Sequence, residues 1–250
     1  PVMLAAGYAT YKILSEEISL TPTSMAGHSL GEYTALVASN SLNFFDAIRL
    51  VKKRGELMQS AVPNGTGSMA AILGLDDDLI IEKCKNANGK GIVEAVNFNS
   101  PGQVVIAGNK EAVAYACELL KEAGAKRALV LPVSVPSHCS LMTEAANEFT
   151  NSIENIDFRM NDVNVIHNVD ADFSNTIEEI KSKLVEQLYK PVLWTSSVLK
   201  MKEAGVEKII ESGPGKVLAG LTRRIDKSLS ASTIIDVDSL KSTIEEISNA

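Results

Sequence analysis

The sequence predicts an α/β fold: a largely parallel sheet with covered faces, carrying a small inserted βαββαβ unit. Three observations predict it. Apolar stripes of helical spacing alternate with short strand-like runs along most of the chain. The middle stretch, 64–133, breaks that rhythm with two strand-like runs in succession, the order of a split βαβ or ferredoxin-like unit. A G-x-S-x-G pattern, Gly27 to Gly31, stands between a strand-like and a helix-like run, as at the serine turn of an α/β-hydrolase-like sheet.

Taken in order, residues 2–17 carry apolar positions at helical spacing and end near Ile18-Ser19-Leu20. They lack a basic leader and are broken by Lys12, so they read as a core helix and not a signal peptide. The turn signal Thr21-Pro22-Thr23 precedes a short strand over 24–28. A helix over 30–38 ends at Ser39-Asn40-Ser41, and a second over 44–61 stops at Pro63-Asn64-Gly65. In the insert, 68–74 is a strand, and 76–87 is a helix opened by Asp76, Asp77 and Asp78, charges suited to a helix N-terminus. Strands over 91–99 and 103–108 are joined at Ser100-Pro101-Gly102. A helix over 110–123 and a strand over 127–133 complete the unit.

The main domain, 1–63 with 134–250, resumes at Ser134-Val135-Pro136. Helices are predicted over 141–153, 177–188 and 191–205, and strands over 163–169 and 208–211. Gly213-Pro214-Gly215 turns into a helix over 217–225, and 238–248 closes the chain as a helix. Gly213-Pro214-Gly215-Lys216 lacks the spacing of a phosphate-binding loop.

Composition bounds the function. With 250 residues, 45% hydrophobic and 22% charged, the chain has length for one large domain, or one plus a small insert. A net charge of −7 argues against general nucleic-acid binding and leaves room for a local basic patch. Lys126, Arg127, Lys190, Lys216, Arg223 and Arg224 are candidates for one, with a solvated surface the plainer reading of each. Cys84, Cys117 and Cys139 are too few and too scattered for a disulfide framework or a zinc site, which suits a reducing cytoplasm. No apolar run has the length of a membrane span.

The elbow supplies the chemistry. Glycines flanking Ser29 relieve a turn too sharp for side chains and leave the hydroxyl exposed at a helix start. There the N–H of Leu30 is placed to face a developing oxyanion. The serine needs a proton acceptor, and the chain offers three histidines. His28 adjoins the nucleophile, its side chain directed away, and reads as bracing the elbow. His167 reads as a satisfied strand histidine. His138, on a loop leading into a helix, is the candidate base, with the helix N-terminus favouring its neutral form. Cys139 beside it reads as a small packed residue. No acid between Ser29 and His138 stands out as a triad member.

The helix over 44–61 holds an anomaly. Ala47, Leu50, Arg54, Leu57 and Ala61 share one stripe, with Arg49, Lys52, Lys53, Glu56, Gln59 and Ser60 opposite. A guanidinium on the apolar side needs an anion. Either an internal Asp or Glu or a ligand carboxylate meets that need, and the planar fork suits both. Asn97 and Asn99, two apart on a strand, are candidates to line a pocket, although turn chemistry before Pro101 also explains Asn99. His28, Arg54, Asn97 and Asn99 form the candidate substrate-binding set.

The stretch from Gly27 to Ala38, GHSLGEYTALVA, resembles the nucleophile segment of malonyl-CoA:acyl carrier protein transacylases and of polyketide synthase acyltransferase domains. Gln59-Ser60-Ala61-Val62-Pro63, Asn97-Phe98-Asn99-Ser100-Pro101-Gly102-Gln103, Pro136-Ser137-His138-Cys139 and Gly213-Pro214-Gly215-Lys216 follow in the family's order over nearly the whole chain. The resemblance implies Ser29 as nucleophile and His138 as base. It also implies Arg54 as partner of the malonyl carboxylate, and Gln187, in Gln187-Leu188-Tyr189, orienting the histidine through its main-chain oxygen. The implied activity passes malonyl from malonyl-CoA to the pantetheine thiol of acyl carrier protein in fatty-acid synthesis. It needs no metal or redox cofactor and runs in a cytoplasmic monomer that binds neither nucleic acid nor membrane. A serine esterase or thioesterase is the enzymatic alternative, and a non-catalytic module that binds the carrier protein is the other. The family's opening strand and Gly-Gln-Gly segment, source of a second oxyanion contact, have no match here. The expectation is therefore a native protein longer at its N-terminus, these 250 residues alone being unstable or nearly inactive.

Overall fold

The computed structural model describes residues 1–248 other than Leu20, Asn88 and Ser134. The expected helix limit at Leu20 and the resumption of the main domain at Ser134 thus fall outside the described residues. Strand β1 (Ser24–Ala26) runs parallel to β6 (Asn164–Ile166), with Met25 opposite Val165. From β1 the chain turns into α2 (Leu30–Ala38), which packs against α1 (Val2–Glu17). The contact is close at Gly7, where an added Cβ would lie 3.0 Å from Thr34 Cγ2. Helix α3 (Phe44–Ser60) is started by Asn43, whose side chain accepts from the N–H groups of Phe45 and Asp46. Its predicted stripe is the buried one: Ala47, Leu50, Arg54 and Leu57 face inward.

The middle of the chain folds as β2 (Gly67–Leu73), α4 (Asp77–Ala87), β3 (Val93–Ser100), β4 (Gln103–Asn109), α5 (Lys110–Glu122) and β5 (Arg127–Val130). The strands stand in the order β3-β4-β2-β5, with every neighbouring pair antiparallel. Period-two alternation splits this sheet between two cores. Ala70, Ile72, Val104 and Ile106 face α4 and α5, in an apolar cluster drawn wholly from residues 70–128. Met69, Val105 and Ala107 pack instead with Val96 around Cys139, next to the candidate base.

The chain continues through a 3₁₀ turn (Ser140–Met142), α6 (Thr143–Ile153), β6, α7 (Ile177–Glu186), α8 (Trp194–Glu203), β7 (Lys208–Ser212), α9 (Val217–Ile225), β8 (Ser230–Ile234) and α10 (Val237–Ser248). Three features differ from expectation, the first two for a physical reason. Strand β8, parallel to β7, is absent from the sequence reading because its Ser230-Ala231-Ser232-Thr233 run carries little apolar signal. The helix expected from 191 starts at Trp194. Val192 is used in strand-like contact with β3, donating to Val96 O at 2.8 Å and accepting from Phe98 N at 3.0 Å. Among the described residues the parallel strands form two separate pairs, β1–β6 and β7–β8. A cavity of about 1020 Å³ is lined by both β1 and β7.

Candidate active site

Ser29 sits between β1 and α2 with φ 53° and ψ −110°, a conformation costly for a residue bearing a Cβ. Two features hold it there. A Cβ on Gly27 would lie 2.0 Å from the carbonyl of Gly31, so the turn closes only over glycine. The Asn168 side chain accepts from Ser29 N at 2.7 Å and donates to Gly27 O at 2.8 Å, spanning the bend. Gly31, expected to be equally crowded, has open space where its Cβ would project. The crowding is one-sided because a Cβ added at Gly27 would run into the turn, whereas one added at Gly31 would meet nothing within 4 Å.

His138 also has positive φ, 66°, and its N–H donates to Leu188 O at 3.0 Å. Its Nδ1–H donates to the main-chain oxygen of Gln187 at 2.6 Å. A carbonyl only accepts, so the proton is on Nδ1 and Nε2 is the free acceptor. Nε2 lies 2.8 Å from Ser29 Oγ. Burial, followed by the positive charge of Arg54, pushes the His138 pKa down to about 3, against the opposing pull of the Gln187 hydrogen bond. The neutral form expected of a base is therefore present, but its cause is burial and Arg54 and not the helix terminus. Helix α6 begins only at Thr143, beyond the 3₁₀ turn. Glu94 of β3 caps that turn, accepting from Ser140 N at 2.9 Å and from its hydroxyl at 2.6 Å.

Cys139 is buried, its thiol donating to Pro136 O at 3.1 Å, and burial pushes its pKa up to about 12. It is the packed residue the sequence suggests.

Arg54 reaches the nucleophile from α3. It is 6% exposed, and its Nη2 donates to Ser29 Oγ at 3.0 Å and to Gln187 Oε1 at 2.9 Å. Among the described residues no acid pairs with it directly, and its Nε has no hydrogen-bond partner. The guanidinium lies 5.8 Å from the centre of the Tyr33 ring. Of the two anions open to it on sequence grounds, the internal ion pair is not made.

His28 Nε2 donates to Asn99 Oδ1 at 2.8 Å, tying the elbow to β3, and its ring stands 5.8 Å from that of Trp194. Both His28 and Asn99 border the large cavity. Asn97 does not. Register shifts at Ala95/Asn97 and Phe98/Ser100 interrupt the alternation that put the two asparagines on one side, and Asn97 pairs through its backbone with Val192. Of the basic residues, Arg224 donates to Gln103 Oε1, Arg223 to Ala231 O, and Lys190 pairs with Glu186.

Sequence reasoning missed the layer beneath the nucleophile. Glu32, on α2 and without solvent exposure, accepts from His167 Nδ1 at 2.7 Å, from Asn168 N at 3.0 Å and from Gln187 Nε2 at 2.7 Å. His167, just past β6, is satisfied as expected, and Glu32 is what satisfies it. A signal was available: Glu32 is the one charged residue of α2, and it is misplaced there as Arg54 is on the apolar stripe of α3. Among the described residues no cluster of three or more His, Cys, Asp or Glu is placed to hold a metal ion.

A serine at a strained strand-to-helix turn, in contact with a neutral imidazole, belongs to covalent acyl chemistry. The chain belongs to the acyl transferase domain family, which matches residues 1–241. It is 54% identical over 246 residues to the malonyl CoA-acyl carrier protein transacylase of Haemophilus influenzae, covering 98% of this chain and 79% of that one. It is 51% identical over 245 residues to its Escherichia coli K12 counterpart, at 98% and 79% coverage. Among solved structures it superposes on an acyl-carrier-protein S-malonyltransferase from Burkholderia pseudomallei with a TM-score of 0.96, 48% identity, and 98% and 80% coverage. It superposes on a malonyl-transacylase solved with its type II polyketide synthase acyl-carrier protein with a TM-score of 0.95, 51% identity, and 97% and 79% coverage.

Proposed function

We propose that the protein transfers malonyl from malonyl-CoA to the pantetheine thiol of an acyl carrier protein through a malonyl ester of Ser29. His138 Nε2 takes the Ser29 proton as Oγ attacks the thioester carbon. The carbonyl oxygen becomes an oxyanion facing the Leu30 N–H at the start of α2. Collapse breaks the C–S bond, and His138 returns its proton to the departing coenzyme A thiolate. In the second half-reaction His138 takes the proton of the carrier thiol, whose sulfur attacks the ester carbon, and Ser29 leaves protonated. The Gln187 main-chain oxygen keeps the Nδ1 proton in place throughout.

The observation that carries this reading is Arg54. It is a buried cation, 3.0 Å from the nucleophile, without a direct acidic partner among the described residues. A malonyl group on Ser29 carries its free carboxylate a short reach from Oγ, where a planar fork with an unspent Nε–H receives it. His28 and Asn99 stand at the cavity and serve as the acyl or pantetheine side of the pocket. Asn97 stands outside that cavity and pairs through its backbone with Val192. No metal or redox group has a part in either half-reaction.

Residues 1–63 with 134–250 make the catalytic unit in this reading and 64–133 the inserted one, which the self-contained apolar cluster of 70–128 supports. A monomeric state, a cytoplasmic location and service in fatty-acid synthesis belong to the same proposal. No described helix is long and apolar enough to cross a membrane.

Incubation with radiolabelled malonyl-CoA tests the reading. Label retained on the protein and discharged to carrier thiol is the expected result. Rapid release of free malonate would make the protein a hydrolase, and no labelling would make it a binding module.

A further inference from the structure

Gln187 enters the site twice, by separate atoms. Its main-chain oxygen holds the imidazole. Its side chain, fully buried, has every polar atom engaged: Oε1 accepts from Arg54 Nη2 at 2.9 Å, and Nε2 donates to Ser29 O at 3.0 Å and to Glu32 Oε2 at 2.7 Å. The partners fix the amide's orientation, since the guanidinium only donates and the two groups on the other side only accept. Glu32 is in turn fixed by His167 and Asn168. The arrangement is a relay: buried acid, neutral amide, buried guanidinium, nucleophile.

The neutral spacer matters. A carboxylate set directly against Arg54 would engage the fork at two points and cancel its charge. With the acid one residue removed, Glu32 still supports the buried cation electrostatically, but the fork is oriented and left unfilled. The amide also fixes where the guanidinium points, because Nη2 is shared between Gln187 Oε1 and Ser29 Oγ.

We propose that the side chain of Gln187, backed by Glu32, is the positioning residue that gives the site its preference for an acyl group bearing a carboxylate over one without. The inference rests on the Arg54 reading above and goes beyond it by naming what makes Arg54 available.

The test is Gln187→Met, which keeps the main-chain carbonyl and much of the side-chain volume but removes both amide functions. Acylation is measured with malonyl-CoA and acetyl-CoA, and the ratio of the two kcat/KM values is the readout. The ratio is expected to fall roughly tenfold or more, the value of one hydrogen bond to a charged group, with most of the change in KM for malonyl-CoA. A ratio within twofold of the parent's, whatever loss the two substrates share, overturns the inference and leaves Gln187 a packing residue. If Gln187→Met does not fold, Gln187→Leu carries the same test. It too keeps the main-chain carbonyl and removes both amide functions, so an unchanged ratio there is equally fatal. Arg54→Ala run in parallel separates the two levels. If it spares the ratio, the carboxylate reading itself fails. If it collapses the ratio while the Gln187 variants do not, only the present inference fails.

Discussion

Replacing Arg54 by alanine removes two kinds of interaction, which the structure allows to be weighed separately. The first is shared by all acyl donors. Nη2 donates to Ser29 Oγ at 3.0 Å, and losing a charged donor from the nucleophile costs about 1.5–3 kcal/mol for malonyl and acetyl alike. The second belongs to malonyl alone, a desolvated charge-assisted contact with its carboxylate worth about 2–5 kcal/mol. At about 1.4 kcal/mol per tenfold, the malonyl-to-acetyl ratio of acylation rates should fall roughly 30-fold to roughly 4,000-fold beyond the common loss. Release of coenzyme A thiol in the first turnover, followed with each donor at several concentrations, measures both parts. A second signature accompanies it. The Arg54 charge is one of the causes holding His138 below its ordinary pKa, so the acid limb of acetyl transfer should move to higher pH in the variant. If malonyl and acetyl rates fall by the same factor within about threefold, Arg54 is a structural residue and the carboxylate argument is wrong.

Ser29→Ala should abolish acyl-enzyme formation with the thermal midpoint held or raised, because the strained turn keeps its geometry and loses only the hydroxyl. Continued stoichiometric labelling would move the nucleophile elsewhere. His138→Asn should slow acylation by orders of magnitude, and a loss under tenfold would remove it as the main base. The same variant tests linkage. His138 falls from its ordinary 6.5 to about 3 on folding, so the unfolded chain alone binds a proton between those values. Stability is fully present above pH 6.5 and declines as pH falls through that window, by about 1.4 kcal/mol per unit. Urea midpoints of His138→Asn should therefore fall less steeply than the parent's, and parallel curves would count against a buried neutral imidazole. Gly27→Ala should prevent folding or destroy the elbow, since its Cβ would meet backbone at 2.0 Å. Gly31→Ala, with open space and a place in the first turn of α2, should gain about 0.5–1 kcal/mol; equal damage from both changes would refute the one-sided crowding.

What this sequence determines unaided is whatever local periodicity and local stereochemistry write directly. The limits of α1, α2 and α9, the split βαβ order of the middle unit, the elbow at Ser29 and the misplaced cation on α3 are all of that kind. Each depends on residues within a turn or two of one another. The pairing of Ser29 with His138 was half legible: a nucleophile needs a base, and three histidines leave few choices. The orienting oxygen of Gln187 was reachable only through family resemblance, because a main-chain carbonyl leaves no mark in a side-chain sequence. Tertiary structure alone decided the rest. It brought Glu32, Asn168 and Gln187 together across more than 130 residues and, among the described residues, left Arg54 without a direct acid. It assigned the depressed His138 pKa to burial and a neighbouring charge. It also found in β8 a strand that owes its existence to pairing with β7 more than to its own apolar content. The reason is common to all four: burial and long-range contact set the energy of a polar group, and neither is a property of its neighbours in the chain.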